Sequence, residues 1–189
     1  KNWNEEWEKN FPPVWIAKEV YVRTTFHPSR EDASWEILIE PKMSFGTGHH
    51  DTTSLMIQQM LKIEFEGRTV LDMGCGTGIL AIFASLREAT TVDAVDTDPW
   101  ACNNAKENCS LNHVSNVTVI QGDASAIPGN RYDIVLANIN RNILVTDMGH
   151  YAARLVPGGH LVLSGFLRTD EPIIKEEASR FQMKETATG

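Results

Sequence analysis

The chain has 189 residues, of which 42% are hydrophobic, and this length and composition predict one globular domain rather than a disordered chain. Its formal net charge of -8 excludes a general electrostatic attraction to nucleic acid or to an anionic membrane. Its three cysteines form no Cys-x-x-Cys pair, which excludes a zinc ribbon and a thioredoxin-type motif.

The N-terminal segment, residues 1–30, differs in composition from the rest of the chain. Four of the five tryptophans lie in residues 1–35. Trp3, Trp7 and Phe11 are spaced four residues apart, which predicts one apolar stripe on a helix that Pro12 would end. We interpret residues 1–30 as a linker helix and lead-in segment, which packs onto the domain, leads from a preceding domain, or does both.

Strands and helices are expected to alternate in the remaining residues, 31–189. Apolar alternation and short apolar runs predict strands at 35–41, 69–72, 91–96, 117–121, 132–138 and 160–164. Apolar residues at helical spacing predict helices at 51–61, 79–86, 99–111, 143–155 and 171–180, the first capped by Asp51 or Thr52. A turn is expected at 157–159, and a final strand can begin only at Phe181, so the last strand is expected to be missing. This alternation predicts an α/β fold with a doubly wound, mostly parallel sheet.

A glycine-rich stretch joins the strand at 69–72 to the helix that follows it. Residues 70–78 are Val-Leu-Asp-Met-Gly-Cys-Gly-Thr-Gly, and open α/β sheets bind ligands at such a strand-to-helix junction. The dinucleotide fingerprint would place its third glycine one residue after Gly78. Asp72, just before the loop, disfavours a phosphate and favours a cation, such as the ammonium group of a methionine moiety.

Acidic residues end the next two predicted strands. Asp96 is placed to accept from both hydroxyls of a ribose, and the alternative is that it caps the following helix. For Asp98 we favour the helix cap. Asp123 either accepts a hydrogen bond from an adenine amino group or forms an ordinary aspartate turn.

The glycine loop and these acidic positions together resemble the motifs of class I S-adenosylmethionine methyltransferases, which implies a sheet of their seven-stranded type. Further stretches are similar to one family of that class, the enzymes that methylate protein eleven of the large ribosomal subunit. They are residues 45–53 (Phe-Gly-Thr-Gly-His-His-Asp-Thr-Thr), 137–140 (Ala-Asn-Ile-Asn) and 163–166 (Leu-Ser-Gly-Phe). The resemblance covers nearly the whole chain from Trp3 onward, and the family's small N-terminal recognition domain is expected to be absent.

The resemblance implies S-adenosylmethionine as the cofactor and S-adenosylhomocysteine as its product. It implies cofactor contacts at Thr53, Gly74, Asp96 and Asn138. The segment from Phe45 to Gly48 would cover the cofactor, and the alternative is a flexible surface turn. The expected cofactor-binding residues are Phe45, Gly46, Thr47, Gly48, Thr53, Asp72, Gly74, Gly76, Asp96, Asp123 and Asn138.

Asn138 is the candidate catalytic residue. It ends a predicted strand at the ligand-binding edge of the sheet, where its amide oxygen can accept a hydrogen bond from the attacking amine. The alternative is a buried asparagine bonded to local backbone. His49 and His50 are adjacent in a loop, where histidines are more often structural than catalytic. No metal site is expected, because no third ligand lies near them in sequence.

The leading hypothesis is an enzyme that methylates lysine ε-amines, and also the N-terminal amine, of a large-subunit ribosomal protein. The alternatives are a methyltransferase for another protein or a small-molecule amine, a nicotinamide-dependent dehydrogenase, and a non-catalytic cofactor-binding module. Cys75, Cys102 and Cys109 are expected to be packed core residues. The cysteine content and the absence of a signal peptide or a long apolar run predict a cytoplasmic protein that binds neither membrane nor nucleic acid directly. Without a recognition domain, this chain is expected to bind cofactor but to methylate its substrate poorly.

Overall fold

The structure, a computed structural model, describes residues 11–40 and 51–188. A small sheet contains β1 (Val14–Ile16), β2 (Val20–Arg23) and β3 (Trp35–Leu38). A large sheet contains β4 (Thr69–Met73), β5 (Thr91–Asp96), β6 (Val117–Gln121), β7 (Tyr132–Asn138) and β8 (Leu155–Ser164). The helices are α1 (Asp51–Met60), α2 (Ile79–Leu86), α3 (Pro99–Leu111), α4 (Arg141–Arg154) and α5 (Glu171–Arg180), with short 3-10 turns at Ala124–Ala126 and Arg168–Asp170.

The large sheet is parallel throughout, in the order β6-β5-β4-β7-β8. From β4 the chain moves outward through β5 to β6, and it then returns to the other side of β4 to form β7 and β8. The strand order therefore reverses between β4 and β7. Open α/β sheets bind ligands in the crevice at such a reversal, outside the carboxyl ends of the strands. The predicted α/β class and the doubly wound sheet are confirmed.

Two hydrophobic clusters cover the two faces of the large sheet. Side chains alternate between faces along a strand, so Val70 of β4 belongs to one cluster and Leu71 to the other. Helix α2 buries six consecutive residues, from Ile79 to Ala84, because it lies between the large sheet and the small one. The ring of Phe83 meets that of Trp35 edge-on, with the centroids 5.8 Å apart. The small sheet thus shares its core with one face of the large sheet.

The lead-in segment differs from its sequence interpretation. It was expected to contain no strand before residue 35, yet β1 pairs antiparallel with β2, and β2 pairs parallel with β3. The boundary expected between residues 30 and 31 therefore falls between two strands of one sheet. Trp3 and Trp7, on which the predicted helix depends, lie outside the described residues.

One boundary near the C-terminus also differs. Strand β8 starts at Leu155 instead of residue 160, because Leu155 pairs with Tyr132 and the next pair joins His160 to Ile134. The predicted turn at 157–159 is thus an irregularity within β8, and Gly158 there has a φ of 79°. Residues 181–188 form no strand. Within residues 11–40 and 51–188, no helix is both long enough and apolar enough to span a membrane.

Candidate functional site

A cleft of about 1090 Å³ lies at the carboxyl ends of β4, β5 and β7, where the strand order reverses. Four of the predicted site residues line it: Gly74, Gly76, Asp96 and Asn138. Gly74 and Gly76 follow β4, Asp96 ends β5 and Asn138 ends β7. The fold thus brings together residues that lie more than 60 positions apart in the chain. The volume is large for a single small ligand, since such pockets usually measure about 300–1,000 Å³.

The glycine loop after β4 approaches the opposite wall of the cleft closely. Gly74 has a φ of 71°, and a Cβ atom there would lie 2.3 Å from Cγ2 of Ile139, the residue after β7. Both features exclude a side chain at Gly74, since L residues rarely adopt this backbone conformation. The amide groups of Gly74 and Cys75 donate to the Val95 carbonyl, which fixes the loop to the end of β5.

Asp96 joins the glycine loop to the next helix. Its Oδ2 accepts from the Gly76 amide at 2.9 Å, and its Oδ1 accepts from the Asp98 amide at 3.0 Å. The carboxylate stands in the cleft wall with one face still open to the cavity. It can therefore hold the loop and also accept from a ligand hydroxyl, because each carboxylate oxygen accepts more than one hydrogen bond. The Asp98 side chain accepts from the Trp100 amide at 2.9 Å, which confirms the predicted helix cap.

Asp72 lies beneath the glycine loop and does not line the cleft. Its side chain is 1% exposed, and its Oδ2 accepts from the Ala81 amide at 3.1 Å. Its Oδ1 has no hydrogen-bond partner among the described residues. Burial raises the pKa of Asp72 to about 7; the Ala81 N–H opposes this rise and the charge of Asp96 adds to it. A proton or a nearby cation would therefore stabilise this buried carboxylate.

Asn138 ends β7 beside the start of α1. Its Nδ2 donates to Oγ1 of Thr53 at 3.3 Å, and Thr53 is fully buried in the first turn of that helix. Its Oδ1 is buried and accepts no hydrogen bond from residues 11–40 or 51–188. The side chain is therefore held by one end, while the buried acceptor at its other end has no partner among the described residues.

Other polar residues near the cleft have local structural roles. Asn140 caps α4 by accepting from the Ile143 amide at 3.2 Å, which is why that helix starts at Arg141 rather than at residue 143. Asp123 forms an aspartate turn, since its Oδ1 accepts from the amide and hydroxyl of Ser125 at 2.9 Å and 2.6 Å. These bonds hold the pKa of Asp123 below its usual value. Asp123 does not border the cleft, and its contact with adenine stays a prediction.

Comparisons with known proteins show the family of the chain. Residues 1–188 match the family model described as "Ribosomal protein L11 methyltransferase (PrmA)". The chain belongs to this family. The membership contradicts the dehydrogenase alternative. The assignment of individual contacts to Thr53, Asp72, Gly74, Gly76, Asp96, Asp123 and Asn138 stays a prediction.

Two relatives of this chain carry the name of the family. A ribosomal protein L11 methyltransferase of Phocaeicola vulgatus is 50% identical over 186 residues, which cover 97% of this chain and 66% of the relative. One from Porphyromonas gingivalis is 50% identical over 177 residues, 93% of this chain and 61% of the relative. The chain thus spans just under two thirds of the length of these relatives. The crystal structure of a ribosomal protein L11 methylase from Lactobacillus delbrueckii subsp. bulgaricus superposes with a TM-score of 0.81 at 24% identity, over 93% of both chains, which shows the same fold.

Some predicted residues of this PrmA-family chain cannot be placed. Phe45, Gly46, Thr47, Gly48, His49 and His50 lie outside the described residues. Among those that are described, no group of three His, Cys, Asp or Glu side chains is arranged to hold a metal ion. Cys75, Cys102 and Cys109 are all buried free thiols, as predicted for core residues, and burial raises the pKa of each.

The sequence interpretation missed two features of the site. Arg141 and Asp170 form an ion pair of 2.9 Å in the outer wall of the cleft, and no local motif joins residues so far apart. The second lies outside the cleft and is a row of asparagines on α3 and at its C-cap: Asn104, Asn108 and Asn112. Asn108 bonds the glycine loop, and all three bond backbone groups at the end of β3 or just beyond it. A signal for this row was present, since asparagine at every fourth residue of a helix is unfavourable without a tertiary partner.

Proposed function

We propose that this chain contains the catalytic domain of an S-adenosylmethionine-dependent methyltransferase. Its acceptors are lysine ε-amines, and also the N-terminal amine, of ribosomal protein L11. The domain comprises residues 31–189 together with the strands of the small sheet that precede them. The observation that carries the proposal is that Asn138 lines the cleft together with the glycine loop, while its buried Oδ1 accepts no hydrogen bond from the described residues.

The residues around the cleft fit the cofactor. Gly74 and Gly76 present backbone without side chains, so a ligand can approach the loop closely. Asp96 offers carboxylate oxygens to ribose hydroxyls at the end of β5. The carboxylate of Asp72, which lies just beneath this loop, favours the ammonium group of the methionine moiety by its charge. When bound, the cofactor supplies a methyl group already activated by its sulfonium.

Asn138 orients the amine that receives the methyl group. Its Oδ1 accepts one N–H of a neutral amine, which aims the nitrogen lone pair across the cleft. Thr53 holds the other end of the amide, so the acceptor keeps a fixed direction. An amide oxygen takes up no proton at neutral pH, so Asn138 acts by positioning rather than as a base. Orientation of this kind can supply about 7–11 kcal/mol of a barrier.

The lysine amine must reach the site without its proton. Its pKa in water is about 10.4, and a pocket that excludes water lowers this value by disfavouring the charged form. The exposed apolar side chains at the mouth of the cleft, Ile143 and Leu167, favour such exclusion once a protein segment covers them. A basic ribosomal protein also complements a chain with a net charge of -8. Ribosomal proteins are made in the cytoplasm, so we assign the reaction to that compartment.

Titration calorimetry with S-adenosylhomocysteine tests the proposal. We expect micromolar binding to the wild-type chain and a loss of at least about tenfold in affinity for Asp96→Ala, which removes both the ribose acceptor and the bond to Gly76. Asp93→Ala is the matched control, because Asp93 lies on the same strand and accepts from the Tyr132 hydroxyl away from the cleft. Wild-type affinity in the control is expected. No heat of binding in a folded wild-type chain would overturn the cofactor assignment.

A further inference from the structure

Helix α3 presents a row of asparagines to the interior, one every helical turn. Asn104 and Asn108 are 1% and 0% exposed, and Asn112 is half-buried. Asn112 bonds both backbone groups of Leu38, with its Oδ1 2.8 Å from the amide and its Nδ2 2.7 Å from the carbonyl. Asn108 accepts from the Glu40 amide at 2.9 Å, and Asn104 donates to the Glu40 carbonyl at 3.2 Å. The row therefore binds the helix to the chain at the end of β3.

Asn108 is the member of the row that also contacts the glycine loop. Its Nδ2 donates to the Thr77 carbonyl at 2.9 Å. One turn earlier on the same face, Ala105 lies so close that a Cβ atom on Gly78 would be 3.1 Å from its own Cβ. Helix α3 thus supports the loop from the side that faces away from the cleft.

The glycine loop needs such a support because its own residues do not select one conformation. Gly74, Gly76 and Gly78 all have positive φ, and glycine adopts other backbone angles with little steric cost. On the cleft side, Asp96 holds the Gly76 amide at 2.9 Å. On the opposite side, Asn108 holds the Thr77 carbonyl one residue further along. The Thr77–Gly78 peptide is bonded at both ends, since its carbonyl accepts from Asn108 and its N–H donates to the Cys75 carbonyl at 2.8 Å. It cannot rotate without breaking one of these bonds.

We propose that Asn108 is a positioning residue for cofactor binding, which rests on the proposed function. Its amide fixes the Thr77–Gly78 peptide, and this keeps the Gly76 amide aligned with Asp96. In its absence, the buried Thr77 carbonyl would lose its donor, and rotation of the peptide toward another donor would relieve that loss. The ligand-binding loop would then sample several conformations, and the cofactor would bind only the competent fraction of molecules.

A comparison of Asn108→Ala with Asn112→Ala tests this role. Both variants remove a side-chain amide from the same helix and a bond to the end of β3, but only Asn108→Ala removes the bond to the loop. We expect Asn108→Ala to weaken S-adenosylhomocysteine binding roughly tenfold. Asn112→Ala should bind S-adenosylhomocysteine as tightly as the wild type does, even where its melting temperature falls as much as that of Asn108→Ala. Equal affinities in the two variants would overturn the proposal.

Amide hydrogen exchange in the free chain gives a second readout that needs no cofactor. The Gly76 and Gly78 amides are bonded in the wild type, to Asp96 and to the Cys75 carbonyl. We expect both to exchange faster in Asn108→Ala and to be unchanged in Asn112→Ala. Unchanged exchange in Asn108→Ala would refute the positioning role, whereas a failure of the wild type to bind S-adenosylhomocysteine would refute the proposed function alone. If Asn108→Ala does not fold, Asn108→Ser and Asn112→Ser give the same comparison with a smaller change in volume.

Discussion

Replacement of Asp72 by asparagine should make the free protein more stable than the wild type at pH 8, with little difference between the two at pH 4. The carboxyl is 1% exposed, and its Oδ1 has no partner in the described part of the chain. Asparagine keeps the shape of the side chain, and its oxygen can still accept from the Ala81 amide. The substitution therefore removes the charge and little else.

The magnitude follows from the pKa of the Asp72 carboxyl. Burial, with the charge of Asp96 as a smaller contribution, raises this pKa from 3.8 to about 7. The folded state then holds a proton that the unfolded state has lost, so the wild type loses stability as pH rises from about 4 through about 7. Each pKa unit is equivalent to about 1.4 kcal/mol, which gives an upper limit of about 4 kcal/mol by pH 8. Asparagine does not titrate, so the variant keeps this stability.

Urea unfolding of both proteins between pH 4 and pH 8 measures the effect. The difference in the free energy of unfolding should grow in favour of Asp72→Asn, mainly between pH 4 and pH 7. Asp133→Asn is a control of opposite sign, because the Thr69 amide lowers the pKa of Asp133 and its stabilising effect is lost as pH falls. At pH 8, Asp72→Asn should bind S-adenosylhomocysteine about tenfold more weakly, since a neutral amide does not offset an ammonium charge. Parallel stability curves for wild type and Asp72→Asn would refute the reasoning, because the carboxyl would then titrate normally.

Two further substitutions address the cleft itself. Gly74→Ala should destabilise the chain by about 1–3 kcal/mol, because it places a Cβ at a φ of 71° and 2.3 Å from Ile139. In thermal unfolding, the double variant Gly74→Ala/Ile139→Ala should recover part of this lost stability. No recovery would mean that backbone strain alone is responsible. Asn138→Ala should lower the rate of methylation of ribosomal protein L11 by about 100-fold, as measured by mass spectrometry under single-turnover conditions. The Kd for S-adenosylhomocysteine should stay within about threefold of the wild-type value. Equal losses in both quantities would show that Asn138 binds the cofactor rather than positions the amine.

The sequence by itself determined most of the large sheet. The bounds of α2, β5, α3, β6 and β7 agree with their predictions, because each is an apolar run of clear period that ends at glycine, proline or a capping residue. The glycine loop and Asp96 were recognisable because their roles depend on residue type and local spacing. In contrast, β1 and β2 have three and four residues, too few for a reliable period, and they exist because β1 pairs with β2 and β2 pairs with β3.

Only the tertiary structure decided which polar groups are buried and what they contact. Asp72 and Asp96 lie near the carboxyl ends of neighbouring strands, yet one is covered by α2 and the other lines the cleft. The contact between Asn108 and Thr77 joins residues 31 positions apart. Such differences depend on which element packs over a side chain, and burial then sets its pKa and the cost of leaving it unpaired. A local sequence pattern specifies the residue, while its environment is supplied by distant parts of the chain.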